Sequence, residues 1–93
     1  MQPLNSAIPG ALAALLREAP LSPGKVSFAW RAAVGSALER ETSVRLIDGT
    51  LVVDAASHLW AREVTRSSPI ILRRLQSLLG SDTVVAISVR RRD

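Results

Sequence analysis

The sequence predicts a small α+β domain with a three-stranded sheet and helices packed on one face. The first observation is a hairpin, in which Asp48-Gly49 separates two runs of alternating apolar residues. Asp-Gly favours a two-residue type I′ turn because both positions of that turn need a positive φ. Such a turn also fixes the predicted pairing across the hairpin, which is Leu46 with Leu51 and Val44 with Val53. Helical apolar spacing flanks the hairpin on each side, around Trp30 and Trp60. A third β-type run over residues 83–90 supplies the last strand, so we expect a two-layer α+β packing.

Two helices are expected before the hairpin. Apolar residues at helical spacing indicate a first helix over 9–18. Ser22 and Pro23 have the residue types of an N-cap and a first helical position, and the helix they begin has an apolar stripe that extends to Leu38. Gly35 falls inside this second helix, where glycine costs about 1 kcal/mol relative to alanine. We therefore expect another backbone to pack closely against Gly35.

Helical spacing resumes after the hairpin, where Ser57 is a predicted N-cap. Pro69 interrupts the pattern, so two helices are predicted, over about 58–66 and 69–79, meeting at a kink or a tight break. Gly80 has the residue type that follows a helix C-terminus. The strand after it is expected to direct three side chains toward the core: Val85, Ile87 and Val89.

The predicted order of elements is α-α-β-β-α-α-β in one globular unit. We divide it into an N-terminal helix and linker, residues 1–22, and a domain over residues 23–93. The last six elements follow the order α-β-β-α-α-β of a type II KH-like domain. The chain has no cysteine, and therefore no disulfide or thiolate metal site. No apolar run approaches the ~20 residues that cross a bilayer, and no signal peptide is evident, so a cytoplasmic protein is expected.

The charge balance favours an anionic partner. The chain has 12 basic residues, of which all but one are arginine, against 8 acidic residues, and its formal net charge is +4. Nucleic acid is the commonest partner for a surface of this charge. An arginine-rich composition also occurs in proteins that bind no nucleic acid, so the distribution of the arginines must decide.

One candidate anion-binding surface is a basic helix face. His58, Arg62 and Arg66 recur every four residues and therefore share one side of the predicted third helix. The basic edge continues beyond Pro69 and at the C-terminus, so the candidate phosphate-binding residues are Arg62, Arg66, Arg73, Arg74, Arg90, Arg91 and Arg92. The competing interpretation is a solvated helix face beside a frayed tail, with Glu63 partly offsetting the charge.

The outer face of the sheet, opposite the core, is a second candidate surface. Its predicted protein-interaction residues are Arg45, Ile47, Val52, Val84 and Ala86. Four of these side chains are apolar, which is more than a fully solvated face needs. We expect the N-terminal helix, a partner protein or a second copy of the chain, in a homodimer, to cover this face.

Base stacking and catalysis are not favoured. Tryptophan can stack on bases, but Trp30 and Trp60 each lie on an apolar stripe, so we place both in the structural core with Val34 and Gly35. The lone His58 has no second histidine or cysteine with which to bind zinc. No glycine-rich phosphate loop is present. We therefore expect a non-enzymatic protein without a metal or cofactor.

With these positions assigned, the sequence resembles the DciA family, bacterial proteins implicated in loading or operating the replicative DNA helicase. The resemblance extends over about residues 28–90 and ends in a leucine-rich helix and a basic strand. Its motifs are Trp30-x-x-x-Val34-Gly35, Asp48-Gly49-x-Leu51-x-Val53 and Ser57-x-x-Trp60-Ala61-x-Glu63.

The resemblance implies a KH-like domain that binds single-stranded or fork-like DNA and is a partner of a DnaB-type helicase. Standard KH domains hold nucleotides with a Gly-x-x-Gly loop, which this sequence lacks, so another surface must bind them. Members often carry a long basic extension that this sequence lacks. If helicase contact depends on that extension, we expect DNA binding without loading. Two other functions stay open: a protein-interaction or homodimerisation module with incidental charge, and an RNA-binding KH-like domain.

Overall fold

A computed structural model describes residues 10–92 of the chain. Three helices precede the hairpin: α1 (Gly10–Glu18), α2 (Pro23–Val34) and α3 (Ser36–Arg40). The remaining elements are β1 (Thr42–Ile47), β2 (Thr50–Ala55), α4 (His58–Leu79) and β3 (Ala86–Arg91). The predicted α+β class with a three-stranded sheet is confirmed.

The hairpin has the predicted turn and the predicted register. The φ values across Asp48-Gly49 are 50° and 81°, as a type I′ turn requires. The register places Leu46 opposite Leu51 and Val44 opposite Val53. These four side chains consequently share the face of the sheet that packs on the helices.

The same turn also connects to the third strand, which pairs with β2 in parallel, so the sheet order is β1-β2-β3. Val85, just before β3, donates its N–H to the Gly49 carbonyl at 2.8 Å. A Cβ built on Gly49 would lie only 3.3 Å from Cγ2 of Val85. Gly49 therefore serves both the positive φ of the turn and the close approach of the chain that begins β3.

Trp30 is the largest fully buried side chain, and its polar atom is satisfied within the core. Its Nε1 donates to Thr42 Oγ1 at 2.9 Å, and that hydroxyl donates to the Leu38 carbonyl at 2.8 Å. This chain of hydrogen bonds joins α2, the end of α3 and the start of β1. The predicted core position of Trp30 is confirmed, whereas Val34 and Trp60 are partly buried and pack against the edge of the core.

Gly35 ends α2 instead of lying within a longer helix. Its φ of 87° and ψ of 169° belong to a region that essentially only glycine adopts. Its N–H donates to the Arg31 carbonyl at 2.8 Å, which caps α2. The predicted close approach of another backbone is wrong, because a Cβ built on Gly35 would meet no atom within 4 Å. The backbone conformation, not tight packing, requires glycine here.

α4 is one helix of 22 residues where two helices were predicted. Pro69 lies inside it at an exposed position, so water can reach the carbonyl of Thr65 that loses its hydrogen-bond donor. Ser68 does not cap a new helix, since its Oγ donates back to the Val64 carbonyl at 2.9 Å. The observed order is thus α-α-α-β-β-α-β.

Despite its length α4 is too polar to cross a bilayer, and no other helix within residues 10–92 could do so.

β3 begins later than predicted, and this reverses the environments of two valines. A turn follows α4, in which Thr83 and Val84 donate their N–H groups to the Gly80 carbonyl. Strand alternation therefore starts only after this turn, which leaves Val84 fully buried and Val85 57% exposed. The prediction that Val84 lies on the outer face and Val85 in the core is wrong. The partly buried side chains of Ile87 and Val89 do pack against the core.

α1 is held on the helical side of the molecule by two cationic side chains. The buried Lys25 donates to the carbonyls of Arg17 at 3.3 Å and Ala19 at 2.6 Å, at the end of α1. Arg17 in turn donates to the Ser77 carbonyl in the last turn of α4 at 2.7 Å. Cations at helix C-termini satisfy the last carbonyls and interact favourably with the helix dipole. α1 accordingly does not cover the outer face of the sheet, which was one of the predicted alternatives.

The role of Gly35 leads to a stability prediction. Gly35→Ala should lower the free energy of unfolding by about 1–3 kcal/mol, because alanine is strained at this φ and ψ. Gly24→Ala in the first turn of α2 is the matched control, since its nearest neighbour would be Ser22 Oγ at 3.9 Å. That control should be neutral or stabilising by up to about 1 kcal/mol. Urea unfolding of both variants measures the difference, and equal values would contradict this role.

Candidate nucleic-acid interface

The continuity of α4 brings three of the predicted arginines onto one face. Because an α-helix turns by about 100° per residue, Arg62, Arg66 and Arg73 fall within about 40° of one another. All three are exposed. We call Arg62, Arg66 and Arg73 the α4 stripe. A break at Pro69 would have left the direction of Arg73 independent of the other two, so the uninterrupted helix is what aligns them.

The α4 stripe keeps most of its positive charge. Arg66 forms an ion pair with Glu63 one turn earlier on the helix. Among the described residues, Arg62 and Arg73 take part in no ion pair. Three arginines and one glutamate leave a local charge of +2. Leu59, beside Arg62 at the start of the stripe, is exposed and adds an apolar surface next to the guanidinium groups.

Arg74 does not belong to the α4 stripe, although the sequence placed it there. It lies about 100° around the helix from Arg73. Its Nη1 donates to the Ala33 carbonyl at 2.9 Å, close to the C-terminal end of α2. The carbonyls of a last helical turn lack intrahelical donors, and Arg74 supplies one. The predicted grouping of Arg74 with Arg73 is therefore corrected: this guanidinium connects α4 to α2.

The three arginines at the C-terminus lie in different places. Arg90 faces outward from the sheet, whereas Arg91 points to the other side, where its Nη1 lies 3.4 Å from Nδ1 of His58. Since His58 begins α4, Arg91 extends the α4 stripe at its amino-terminal end. Arg92 follows the end of β3 with an exposed side chain, and its backbone N–H donates to the Ala55 carbonyl at 2.9 Å. The predicted single basic surface is thus divided between the two faces of the sheet.

On the outer face, Arg90 is part of a cluster around one carboxylate. Asp54 accepts from Nε of Arg90 at 3.0 Å, and the Nη2 of Arg90 also lies 3.0 Å from it. Its second oxygen lies 3.7 Å from Nη2 of Arg45. Arg45 and Asp54 were both expected on this face, but their pairing was not predicted. The Asp-Gly turn was the available signal, because its register places Asp54 diagonally across from Arg45.

The outer face is less apolar than predicted. Ile47 is 46% exposed and Ala86 is exposed, but Val52 is partly buried and Val84 lies in the core. The other positions on this face are polar or charged: Ser43, Arg45, Thr50, Asp54, Ser88 and Arg90. No residue in the described part of the chain covers the face. A mostly polar sheet face can be solvated, so it does not require a cover.

The sequence corresponds to a known family over nearly its whole length. The chain matches the family model described as "Dna[CI] antecedent, DciA" over residues 3–89. The chain belongs to the DciA family. The resemblance found over about residues 28–90 is confirmed, and the match includes α1, which that resemblance did not cover. No match was found among curated proteins.

Membership of the DciA family supports a role associated with loading of the replicative helicase. The family is a helicase accessory and not a catalytic family. Within residues 10–92 no cluster of histidine and carboxylate side chains could hold a metal ion. Guanidinium groups such as those of the α4 stripe can recognise anions electrostatically.

The different environments of Arg73 and Arg74 can be tested by measuring how their substitution changes the free energy of unfolding. Arg74→Met should lower the free energy of unfolding by about 1–2 kcal/mol, because it removes a charged donor from a partly buried carbonyl. Arg73→Met, on the exposed neighbouring position, should change it by no more than about 0.5 kcal/mol. Urea denaturation of the two variants checks this, and a larger loss for Arg73→Met would refute the assignment.

Proposed function

We propose that this chain binds single-stranded or fork-like DNA through arginine–phosphate contacts and acts, without catalysis, as an accessory of a DnaB-type replicative helicase. One observation carries the proposal: a single uninterrupted helix presents Arg62, Arg66 and Arg73 on one exposed face. Family membership supports the helicase-associated part of the role. This function would place the protein in the cytoplasm.

The dimensions and chemistry of the α4 stripe suit a phosphate backbone. From Arg62 to Arg73 the helix rises about 16 Å, so the guanidinium groups can contact several successive phosphates. Each guanidinium presents a planar set of donors that matches phosphate oxygens. Arg91 and His58 add donors at the amino-terminal end. Contacts of this kind carry no sequence information, so binding should depend on salt and little on base sequence.

The fold proposed for this function is KH-like, with residues 23–93 as the domain and residues 1–22 as an N-terminal helix and linker. The order of helices and strands around a mixed sheet supports it, although α4 replaces two helices of the expected order. Because the sequence has no Gly-x-x-Gly loop, the α4 stripe takes the place of that loop in binding. Trp60 is partly buried and packs against the core, which does not favour it as a stacking platform for bases.

Removing two unpaired arginines should weaken DNA binding in a defined way. Arg62→Gln/Arg73→Gln should lower affinity for a labelled thymidine homopolymer. It should also reduce the slope of log K against log salt by about 1.4, since each phosphate contact to a single strand contributes about 0.7. Fluorescence anisotropy between about 50 and 200 mM salt measures both quantities.

The matched control for this experiment is Arg31→Gln/Arg40→Gln, which removes the same charge from exposed positions on α2 and α3. The control should retain most of the wild-type slope. Equal losses in both double variants would mean that net charge alone matters, and an unchanged slope in the α4 variant would refute the proposed contact. The same titration with RNA separates DNA from RNA binding. If the wild type has no measurable affinity for DNA at any salt concentration, the result favours the protein-interaction or homodimerisation alternative.

A further inference from the structure

Among the described residues, β1 has a free hydrogen-bonding edge, because the sheet order places β2 on one side of it and no other strand on the other side. In a hairpin with a two-residue turn, the residues that flank the turn form a hydrogen-bonded pair, here Ile47 with Thr50. Counting back from Ile47, every second residue of β1 bonds to β2. Val44 and Leu46 consequently direct their N–H and C=O groups to the free side. No backbone hydrogen bond from a loop or turn within residues 10–92 reaches these groups.

An apolar cleft of about 340 Å³ lies beside this edge. Its walls come from the start of α2, the segment before it and β1, and its lining residues include Leu21, Pro23, Val26, Val44, Arg45 and Leu46. Leu21 is 56% exposed at the cleft. Val44 and Leu46 are only partly buried, whereas Leu51 and Val53, directly across the hairpin, are completely buried. The helices therefore leave the core face of the sheet incompletely covered at β1.

Arg45, between these two residues, adds a charge that is weakly neutralised within the chain. Its side chain is 54% exposed, and its only ion pair in the described residues is the 3.7 Å contact with Asp54. Asp54 is engaged more closely by Arg90, at 3.0 Å. An acidic side chain on a neighbouring strand would lie within reach of Arg45, since cross-strand pairs of opposite charge on one face attract each other.

We propose that the free edge of β1 binds an extended segment of a partner protein as a fourth strand. One apolar side chain of that segment would enter the cleft, and an adjacent acidic side chain, on the outer face, would pair with Arg45. Main-chain hydrogen bonds provide the affinity in this mode of recognition, and alternate side chains provide the specificity. The inference rests on the proposed function, in which the replicative helicase is the partner that supplies the segment.

Charge complementarity favours an acidic partner segment over a second copy of the chain. A second copy would present its own β1, whose sequence Thr-Ser-Val-Arg-Leu-Ile contains an arginine and no acidic residue. Pairing two such edges would therefore leave both Arg45 charges without a carboxylate from the new strand. A helicase segment with alternating apolar and acidic residues would satisfy both the cleft and Arg45.

Capture of the purified replicative helicase by the immobilised protein tests the proposal. Val44→Pro removes an N–H that bonds to no described residue and places a ring where the added strand would lie, so it should reduce capture about tenfold or more. Val44→Thr keeps the β-branched shape and the N–H, and should behave like the wild type. Arg45→Glu should also reduce capture, while Arg31→Glu, the same charge change on α2, should not.

The outcomes distinguish this proposal from the function on which it rests. Equal capture by the wild type, Val44→Pro and Arg45→Glu overturns strand docking but leaves the proposed function intact. No capture by the wild type overturns both strand docking and the helicase-accessory part of the proposed function. Val44→Pro should bind DNA like the wild type, and this result would show that the variant is folded. If Val44→Pro loses DNA binding, the capture measured for Arg45→Glu decides whether strand docking is correct. A wild-type dimer in light scattering that becomes a monomer in Val44→Pro assigns the edge to a second copy and overturns the proposal.

Discussion

The type I′ turn at Asp48-Gly49 is the constraint on which the rest of the structure depends. It sets the hairpin register, and a slip of one residue would turn Leu51 and Val53 from the core to the outer face. The Gly49 carbonyl also accepts the N–H of Val85, so the same turn fixes where the chain enters β3. Both the Arg45–Asp54 contact and the free backbone groups of β1 follow from this register. The turn thus positions the candidate surfaces of the sheet as well as its core.

The arginines show that net charge overstates the number of cations available to a nucleic acid. Arg74 bonds to a helix carbonyl, and Arg90 is held by Asp54. Arg62 and Arg73 have no such contact with any residue from 10 to 92, so solvent and salt screen their charge. The two proposed surfaces would bind through different interactions. The α4 stripe would act through salt-dependent Coulomb attraction, and the free edge of β1 through directional backbone hydrogen bonds. Since they lie on different elements, one chain would bind DNA and a protein segment together.

Sequence reasoning succeeded where the signal is local. The turn, the register and the helix caps were all predicted, because each depends on residues within a few positions of one another, and the family pattern is a series of such local motifs. Two serines and a glycine act as predicted caps: Ser22, Ser57 and Gly80. The sequence did not show which of two helix-weakening residues, Gly35 or Pro69, ends a helix. Gly35 ends α2, whereas Pro69 does not end α4, because Gly35 adopts a φ and ψ outside the helical region and the hydrogen bond lost at the exposed Pro69 can be replaced by water.

By itself, then, the sequence determined the α+β class, the hairpin register and the membership of the DciA family. Only the tertiary structure decided which charges are available and which valine is buried. The partners of Arg74 and Arg90 lie 41 and 36 residues away, so no local pattern could reveal them. Val84 is buried because a turn after α4 delays the start of β3. For the two arginines the deciding contact joins distant parts of the chain, which periodicity and residue type cannot report.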